Sequence, residues 1–320
     1  MNIICATDNN FIQHCSIMLV SLLTNNKDVD VYILTEGLTE DNQKILNEEV
    51  EAKGGRIHYC MVDTSIVENM PLSKVEGLNH ISRATYYRLL IADLLPAEVT
   101  KVIYLDCDIV VNDSLEELWN MDMSGMAIAA SLQIGSGYEC ERLGYPIKDG
   151  YFNAGVTMMN IDYCRKNDIT RMMLEYATEN RDRLKFNDQD VLNAVLHDKC
   201  IHILPQWNMT SACYANDMER RGDKRKGVII NDYRESKDNI KERGMNPCVV
   251  HYVSKPKPWS DNCVHPLYHL YYEYAQKTLH YNHLQPQAES ERKRAIRKFK
   301  LRAFLSAVKQ RIHKTDPTRM

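Results

Sequence analysis

No stretch of this 320-residue chain is apolar for long enough to cross a bilayer as a helix. The N-terminus, Met1-Asn2-Ile3-Ile4-Cys5-Ala6-Thr7-Asp8, lacks the basic region that opens a secretory signal, and the apolar part of residues 11–23 is interrupted by Gln13, His14 and Ser21. Neither a signal peptide nor a spanning helix is expected, so the chain is read as cytoplasmic. Its ten cysteines include no C-x-x-C pair and no Cys/His group at zinc spacing. They are scattered from Cys5 to Cys263, which suits a reducing compartment where most serve as small buried hydrophobes. Internal repeats are absent, and so is any long low-complexity segment before the tail. What remains is an ordinary globular composition, 44% hydrophobic and 26% charged, with length for one large or two smaller domains.

The net charge of −3 hides an asymmetry. Residues 290–320 hold eleven Lys/Arg against two acids, Glu291 and Asp316, whereas the rest of the chain carries 29 basic and 41 acidic residues. In the tail Ala295, Ile296, Phe299, Phe304, Leu305, Val308 and Ile312 recur at helical intervals, with Arg292, Lys293, Arg294, Arg297, Lys298, Lys300 and Arg302 crowding its first half. That is the pattern of a basic amphipathic helix lying in a membrane interface, preferred here over nucleic acid binding or a solvated charge run. Residues 1–282 are expected to form the main domain and 283–320 the basic tail, with residues 290–314 meeting an inner-leaflet surface.

The segment that organises the chain is Lys101-Val102-Ile103-Tyr104-Leu105-Asp106-Cys107-Asp108-Ile109-Val110-Val111. An apolar, β-branched run of this kind predicts a buried strand, whose period of two would turn both carboxylates to one side. Two anions side by side repel each other and lose hydration, so they need compensation. A divalent cation with oxygen ligands is one source; solvated acids at a strand end are the alternative.

Around it the pattern alternates. Residues 2–7, 29–34 and 56–62 read as strands, separated by a helix carrying Ile12, Cys15, Met18, Leu19, Leu22 and Leu23 and by a second helix that Thr39-Glu40-Asp41-Asn42 opens. This β-α-β-α-β opening predicts a mostly parallel central sheet flanked by helices, with ligands at the carboxyl ends of the strands. A helix is expected over 82–95, a short one over 114–119, and strands over 126–131, 151–159 and 249–253. Asn187-Asp188-Gln189-Asp190 is expected to cap a helix running to about His197.

Taken in order, Ala6-Thr7-Asp8-Asn9-Asn10-Phe11, Arg88, Leu105-Asp106-Cys107-Asp108, Asn153-Ala154-Gly155, Asn187-Asp188-Gln189-Asp190 and His251-Tyr252 with Lys257-Pro258-Trp259 resemble glycosyltransferase family 8. These are retaining enzymes that include lipopolysaccharide galactosyl- and glucosyltransferases and glycogenin. The resemblance spans roughly residues 1–275 and implies a GT-A fold, a UDP-hexose donor, Mn²⁺ (with Mg²⁺ as the substitute) and an oligosaccharide or lipid-linked glycan acceptor. By that likeness Asp106, Asp108 and His251 are metal ligands, a set that suits Mn²⁺ better than an all-oxygen Ca²⁺ site. Ala6, Asp8, Asn10 and Phe11 match the nucleotide loop; their plain alternative is a polar strand-to-helix turn capped by Asp8. Lys257 matches a diphosphate contact, and Ser254 stands where the family often has Gly. Arg88, Asn153, Asp188 and Gln189 match the donor-sugar pocket, with Gln189 near the anomeric carbon. An amide is a poor nucleophile, which favours a front-face route, while double displacement through Asp188 or Gln189 stays open. His80 matches a position near the acceptor, while Gln133 stands where some relatives have an acid. The competing functions are a D-x-D phosphatase, whose nucleophile would normally lie on the first strand, and a non-catalytic UDP-sugar-binding protein.

Overall fold

The computed structural model describes residues 1–72, 83–133, 137–214, 237–253, 255–263, 265–294 and 296–298. In the first strand, β1 (Asn2–Ala6), Ile3 and Cys5 face one apolar core and Ile4 the other. A strand buried on both faces is what a parallel sheet covered by helices requires. There follow α1 (Ile12–Asn25), β2 (Asp30–Thr35), α2 (Glu40–Glu51) and β3 (Arg56–Met61), the alternation expected from the sequence. Thr39 caps α2 by accepting from the Asn42 N–H, with Glu40 and Asp41 in its first turn.

The later strands are β4 (Lys101–Leu105), β5 (Ile109–Val111), β6 (Ile128–Leu132), β7 (Phe152–Asn160), β8 (Cys200–Ile203), β9 (Met209–Thr210) and β10 (Val249–His251). Seven of them form one sheet in the order β3-β2-β1-β4-β7-β6-β8. β1 pairs in parallel with β2 and β4, β2 with β3, and β6 with β8; β7 runs antiparallel between β4 and β6. The chain leaves β1 toward β3 and comes back on the other side at β4. The crevice beyond the carboxyl ends of β1 and β4 is therefore the switch point at which such sheets bind ligands.

A smaller sheet, β5-β10-β9, stands beside the first. α1 joins the two: Cys15, Met18, Leu19, Leu22 and Leu23 pack into the core of the large sheet, while Ile17 packs with Val110, Val250, Tyr252, Tyr271 and Tyr274. The polar interruptions of α1 have partners there. Ser21 Oγ accepts from the Val111 N–H at 2.9 Å and Asn25 Nδ2 donates to Val111 O at 3.0 Å.

Three local expectations are corrected. The apolar run 101–111 is not one strand: β4 belongs to the large sheet and β5 to the small one, and the chain turns at Asp106-Cys107-Asp108 between them. The turn is held by the Asp106 N–H on Gly155 O (2.9 Å) and the Tyr252 N–H on Asp108 O (3.0 Å). The expected helix over 82–95 is a 3₁₀ turn, Arg83–Leu90, running into a short α-helix, Ile91–Leu94. Residues 86–92 are all buried, so the segment lacks the exposed polar face of a surface helix. The helix Asn187–Leu196 is not capped by Asn187 or Asp188. Asp190 reaches back instead, its Oδ2 accepting from the Lys185 and Phe186 N–H groups, and Asp188 is left to pair with Arg88.

All ten cysteines are free thiols. Among the described residues no helix is long and apolar enough to cross a membrane. Residues 289–294 and 296–298 are helical. Ala295 and residues 299–320, with most of the proposed membrane face, lie outside the described residues.

Candidate active site

Each of the two carboxylates on the turn uses one oxygen on a cation or hydroxyl from elsewhere in the chain and turns the other to a shared space. Asp106 Oδ1 accepts from Arg88 Nη2 at 2.8 Å and from the Tyr104 hydroxyl at 2.9 Å. Asp108 Oδ2 is paired with Lys257 Nζ, which also donates to Tyr252 O at 2.6 Å. The remaining oxygens face one imidazole: His251 Nε2 lies 3.7 Å from Asp106 Oδ2 and 3.2 Å from Asp108 Oδ1. Burial alone would raise the Asp108 pKa, but Lys257 and His251 outweigh it and hold the carboxyl below its ordinary value.

The hydrogen-bond network fixes which way His251 faces. Asn153 Oδ1 accepts from the Gly155 N–H at 3.0 Å and from Asn208 Nδ2 at 2.9 Å. Asn208 must then present its oxygen to His251 Nδ1, 2.8 Å away, so Nδ1 carries the proton. In the neutral ring Nε2 presents a lone pair to two carboxylate oxygens. Three electron-rich atoms facing each other within 4.8 Å call for a cation between them, either a proton on Nε2 or a metal ion. Oxygen, oxygen and imidazole nitrogen, with the Asn208 amide behind the ring fixing the tautomer, fit a divalent metal such as Mn²⁺ or Mg²⁺. The approach depends on Gly155, where a Cβ would stand 2.1 Å from His251 Cε1.

Beside this group lies a cluster of buried polar side chains. Arg88, 7% exposed, spans it: Nη2 reaches Asp106, Nε pairs with Asp188 Oδ2 at 2.8 Å, and Nη1 donates to Ala154 O at 2.8 Å. Burial would make Arg88 less basic, yet Asp106 and Asp188 together raise its pKa, so it stays charged. Burial pushes the Asp188 carboxyl up to about 6; Arg88 pulls against that rise and Asp106 adds to it. Gln189 is fully engaged. Its Oε1 accepts from Asn153 Nδ2 and from the Ala154 N–H, both at 3.1 Å, and its Nε2 donates to Gln133 Oε1 and the Tyr151 hydroxyl, both at 3.0 Å. Hydrogen bonds therefore run without a break from Gln189 through Asn153 and Asn208 to His251.

The loop after β1 closes the other side. Asp8 Oδ1 accepts from the Asn10 and Phe11 N–H groups, so Asp8 does act as the turn's cap. Phe11 is 39% exposed and meets His14 and Trp259 edge-on, while His14 stacks on Trp259 with centroids 3.7 Å apart. Burial draws His14 down to about 4, with Asp108 opposing and Lys257 reinforcing the drop, so this imidazole is neutral near pH 7. Cys107 Sγ donates to Ala6 O at 3.3 Å, linking the acid turn to the loop.

Asp106, Asp108, His251, Arg88, Asp188, Asn153, Gln189 and Lys257 thus form one connected group, with Ala6 tied to it and Asp8, Asn10 and Phe11 on the adjoining loop. Ser254 and His80 lie outside the described residues. The sequence reading missed Tyr104, Asn208 and His14. Tyr104 had a signal, two residues before Asp106 in the same apolar run; Asn208 had none, because nothing local links it to His251.

Glycosyl transferase family 8 matches residues 2–263 of the chain. General stress protein A of Bacillus subtilis is 31% identical over 286 residues, covering 87% of this chain and 94% of that protein. Lipopolysaccharide 1,3-galactosyltransferase of Salmonella typhimurium is 26% identical over 283 residues, 83% of this chain and 75% of that protein. Among solved structures, galactosyltransferase LgtC with donor and acceptor sugar analogues superposes with a TM-score of 0.74 at 25% identity, over 87% of this chain and 96% of that one. The mostly parallel sheet, the helices on its faces and the acid turn at its switch point are those of the GT-A fold, and the chain belongs to glycosyltransferase family 8.

Proposed function

We propose that this glycosyltransferase moves a hexose, galactose or glucose, from a UDP-sugar to a glycan acceptor with retention of the anomeric configuration, in the assembly of lipopolysaccharide. One observation carries the metal-dependent part of this reading: Asp106 Oδ2, Asp108 Oδ1 and His251 Nε2 face each other with the imidazole tautomer set by Asn208. Bound there, Mn²⁺ (or Mg²⁺) would supply positive charge to the diphosphate as the sugar leaves.

The protein's own residues divide the remaining work. Ala6, Asp8, Asn10 and Phe11 receive the nucleoside, with the exposed Phe11 ring as the stacking face. Lys257 neutralises Asp108 in the free chain and offers its charge to the diphosphate, which the family likeness also brings near Ser254. Arg88 and Asp188 meet the sugar hydroxyls, and Asn153 and Gln189, engaged with each other, fix the wall of the donor-sugar site around them. Both lone pairs of Gln189 Oε1 are already accepting hydrogen bonds, which speaks against the amide as nucleophile and for a front-face route in which the departing phosphate takes the acceptor proton. Residues 1–282 are read as the catalytic unit. The basic residues of 283–320, chiefly 290–314, would hold the enzyme at the cytoplasmic face of a membrane that carries a lipid-linked acceptor. The likeness to lipopolysaccharide transferases supports both the hexose and the acceptor class.

The test is a panel of UDP-sugars with and without Mn²⁺. Release of UDP from UDP-galactose or UDP-glucose, dependent on the metal, is the expected result. Release of inorganic phosphate would support a phosphatase, and tight binding without turnover a sugar-nucleotide sensor.

A further inference from the structure

A second compact group of ligand-type atoms lies behind the acid turn. Cys5 on β1, Cys15 on α1 and Cys107, the residue between Asp106 and Asp108, bring their three sulfurs within 4.8 Å of one another. Cys5 and Cys15 Sγ are 3.9 Å apart, and Cys107 Sγ reaches the others while donating to Ala6 O. The first two side chains are fully enclosed and the third is 7% exposed. Metal–sulfur bonds of about 2.3 Å place the corners of a planar three-sulfur site about 4.0 Å apart, close to the spacing already present. No fourth His, Cys, Asp or Glu joins the group among the described residues. That leaves Zn²⁺, which prefers four, one ligand short, whereas thiolates favour soft Cu⁺, for which three sulfurs suffice.

We propose that Cys5, Cys15 and Cys107 form a binding site for Cu⁺, and that filling it disables the acid turn beside it. Each thiol that binds gives its proton to solvent. Once the Cys107 sulfur is bonded to Cu⁺ it no longer donates to Ala6 O, and the contact that held the turn to the loop is lost. Asp106 and Asp108 flank that residue and move with it. The sulfur site stands on its own geometry; its effect on the turn rests on the reading of Asp106, Asp108 and His251 as metal ligands.

The experiment uses the reduced, metal-free full chain under anaerobic conditions, titrated with Cu⁺ buffered by a chromophoric chelator. One Cu⁺ per chain is expected, with X-ray absorption showing three sulfur neighbours and no nitrogen or oxygen. Cys15→Ala, and the near-isosteric Cys15→Ser in case the first fails to fold, should lower Cu⁺ affinity at least about 100-fold while keeping Mn²⁺-dependent turnover. Cys164→Ala, outside the cluster, should bind as the parent does. Loading with Cu⁺ should weaken Mn²⁺ binding, followed by electron paramagnetic resonance, by about tenfold or more in the parent and not in Cys15→Ala. No uptake, uptake that survives Cys15→Ala, or nitrogen and oxygen neighbours would overturn the site. Unchanged Mn²⁺ affinity in the loaded chain would overturn the coupling. A chain that takes Cu⁺ at three sulfurs yet never binds Mn²⁺ would count against the acid-turn reading and leave the sulfur site standing.

Discussion

Replacing Gly155 by Ala tests whether the close approach of β7 to the acid turn is what lets His251 face it. A Cβ there would lie 2.1 Å from His251 Cε1, 2.7 Å from its Nδ1 and 2.8 Å from Asp106 Oδ2. The first distance falls about 1.3 Å short of the 3.4 Å at which ordinary contact begins. The imidazole cannot absorb this by tilting freely, being 3% exposed and tied to Asn208 through Nδ1. Metal–ligand distances tolerate about 0.2 Å, so a shift near 1 Å takes Nε2 out of coordination. Overpacking of this kind costs about 1–3 kcal/mol of stability. Displacing the ligand should cost at least about 10- to 100-fold in Mn²⁺ affinity, judged by what its supporting partners alone are worth. The assay is a Mn²⁺ titration followed by electron paramagnetic resonance, with thermal unfolding of the same samples. In a His251→Ala background the methyl group gains room, so most of the stability loss should disappear. A Gly155→Ala chain that binds Mn²⁺ as tightly as the parent would refute the reasoning.

Removal of the metal by EDTA, or Asp106→Ala or Asp108→Ala, should abolish turnover, reversibly in the first case on adding Mn²⁺ back; full activity in EDTA would sink the metal reading. Arg88→Met leaves Asp106 without its cation and Asp188 without its partner, and should lower stability by about 3–5 kcal/mol in urea unfolding at pH 7, less in acid where the carboxyls take up protons. Asp188 has a folded pKa near 6, above its unfolded value, so its contribution to the stability of the metal-free chain is complete below about pH 4 and is lost as pH rises through 6. Asp188→Asn should remove that slope, on the order of 2 kcal/mol between pH 4 and 6.5, and an unchanged slope would show that other groups set it. A chain ending at Gln285 should turn over soluble acceptors like the parent but fail to cosediment with anionic vesicles, which the full chain should bind less well in high salt.

The β-α-β-α-β opening, and with it the fold class, could be read from the sequence because it rests on local periodicity: Ile3, Ile4 and Cys5 fill both faces of a strand, and Leu19, Leu22 and Leu23 one stripe of a helix. The same local rules misread residues 101–111. Apolar character says that a segment is buried but not which sheet it joins, and here β4 has β1 and β7 for neighbours while β5 has β10. The hydrogen bonds from Asp106 and Tyr252 that break the run involve residues 49 and 144 positions away from their partners, Gly155 and Asp108. The acids that need a counter-charge were visible as a pair, yet their compensation comes from Arg88, Lys257 and His251, which no spacing ties to them. The sequence by itself determined the layers of this protein and the residue types at its centre. Only the tertiary structure decided that Asn208 turns the His251 lone pair toward the acids, that Gly155 leaves it room, and that three scattered cysteines meet behind them, because such contacts depend on where distant segments cross and not on any periodicity within one of them.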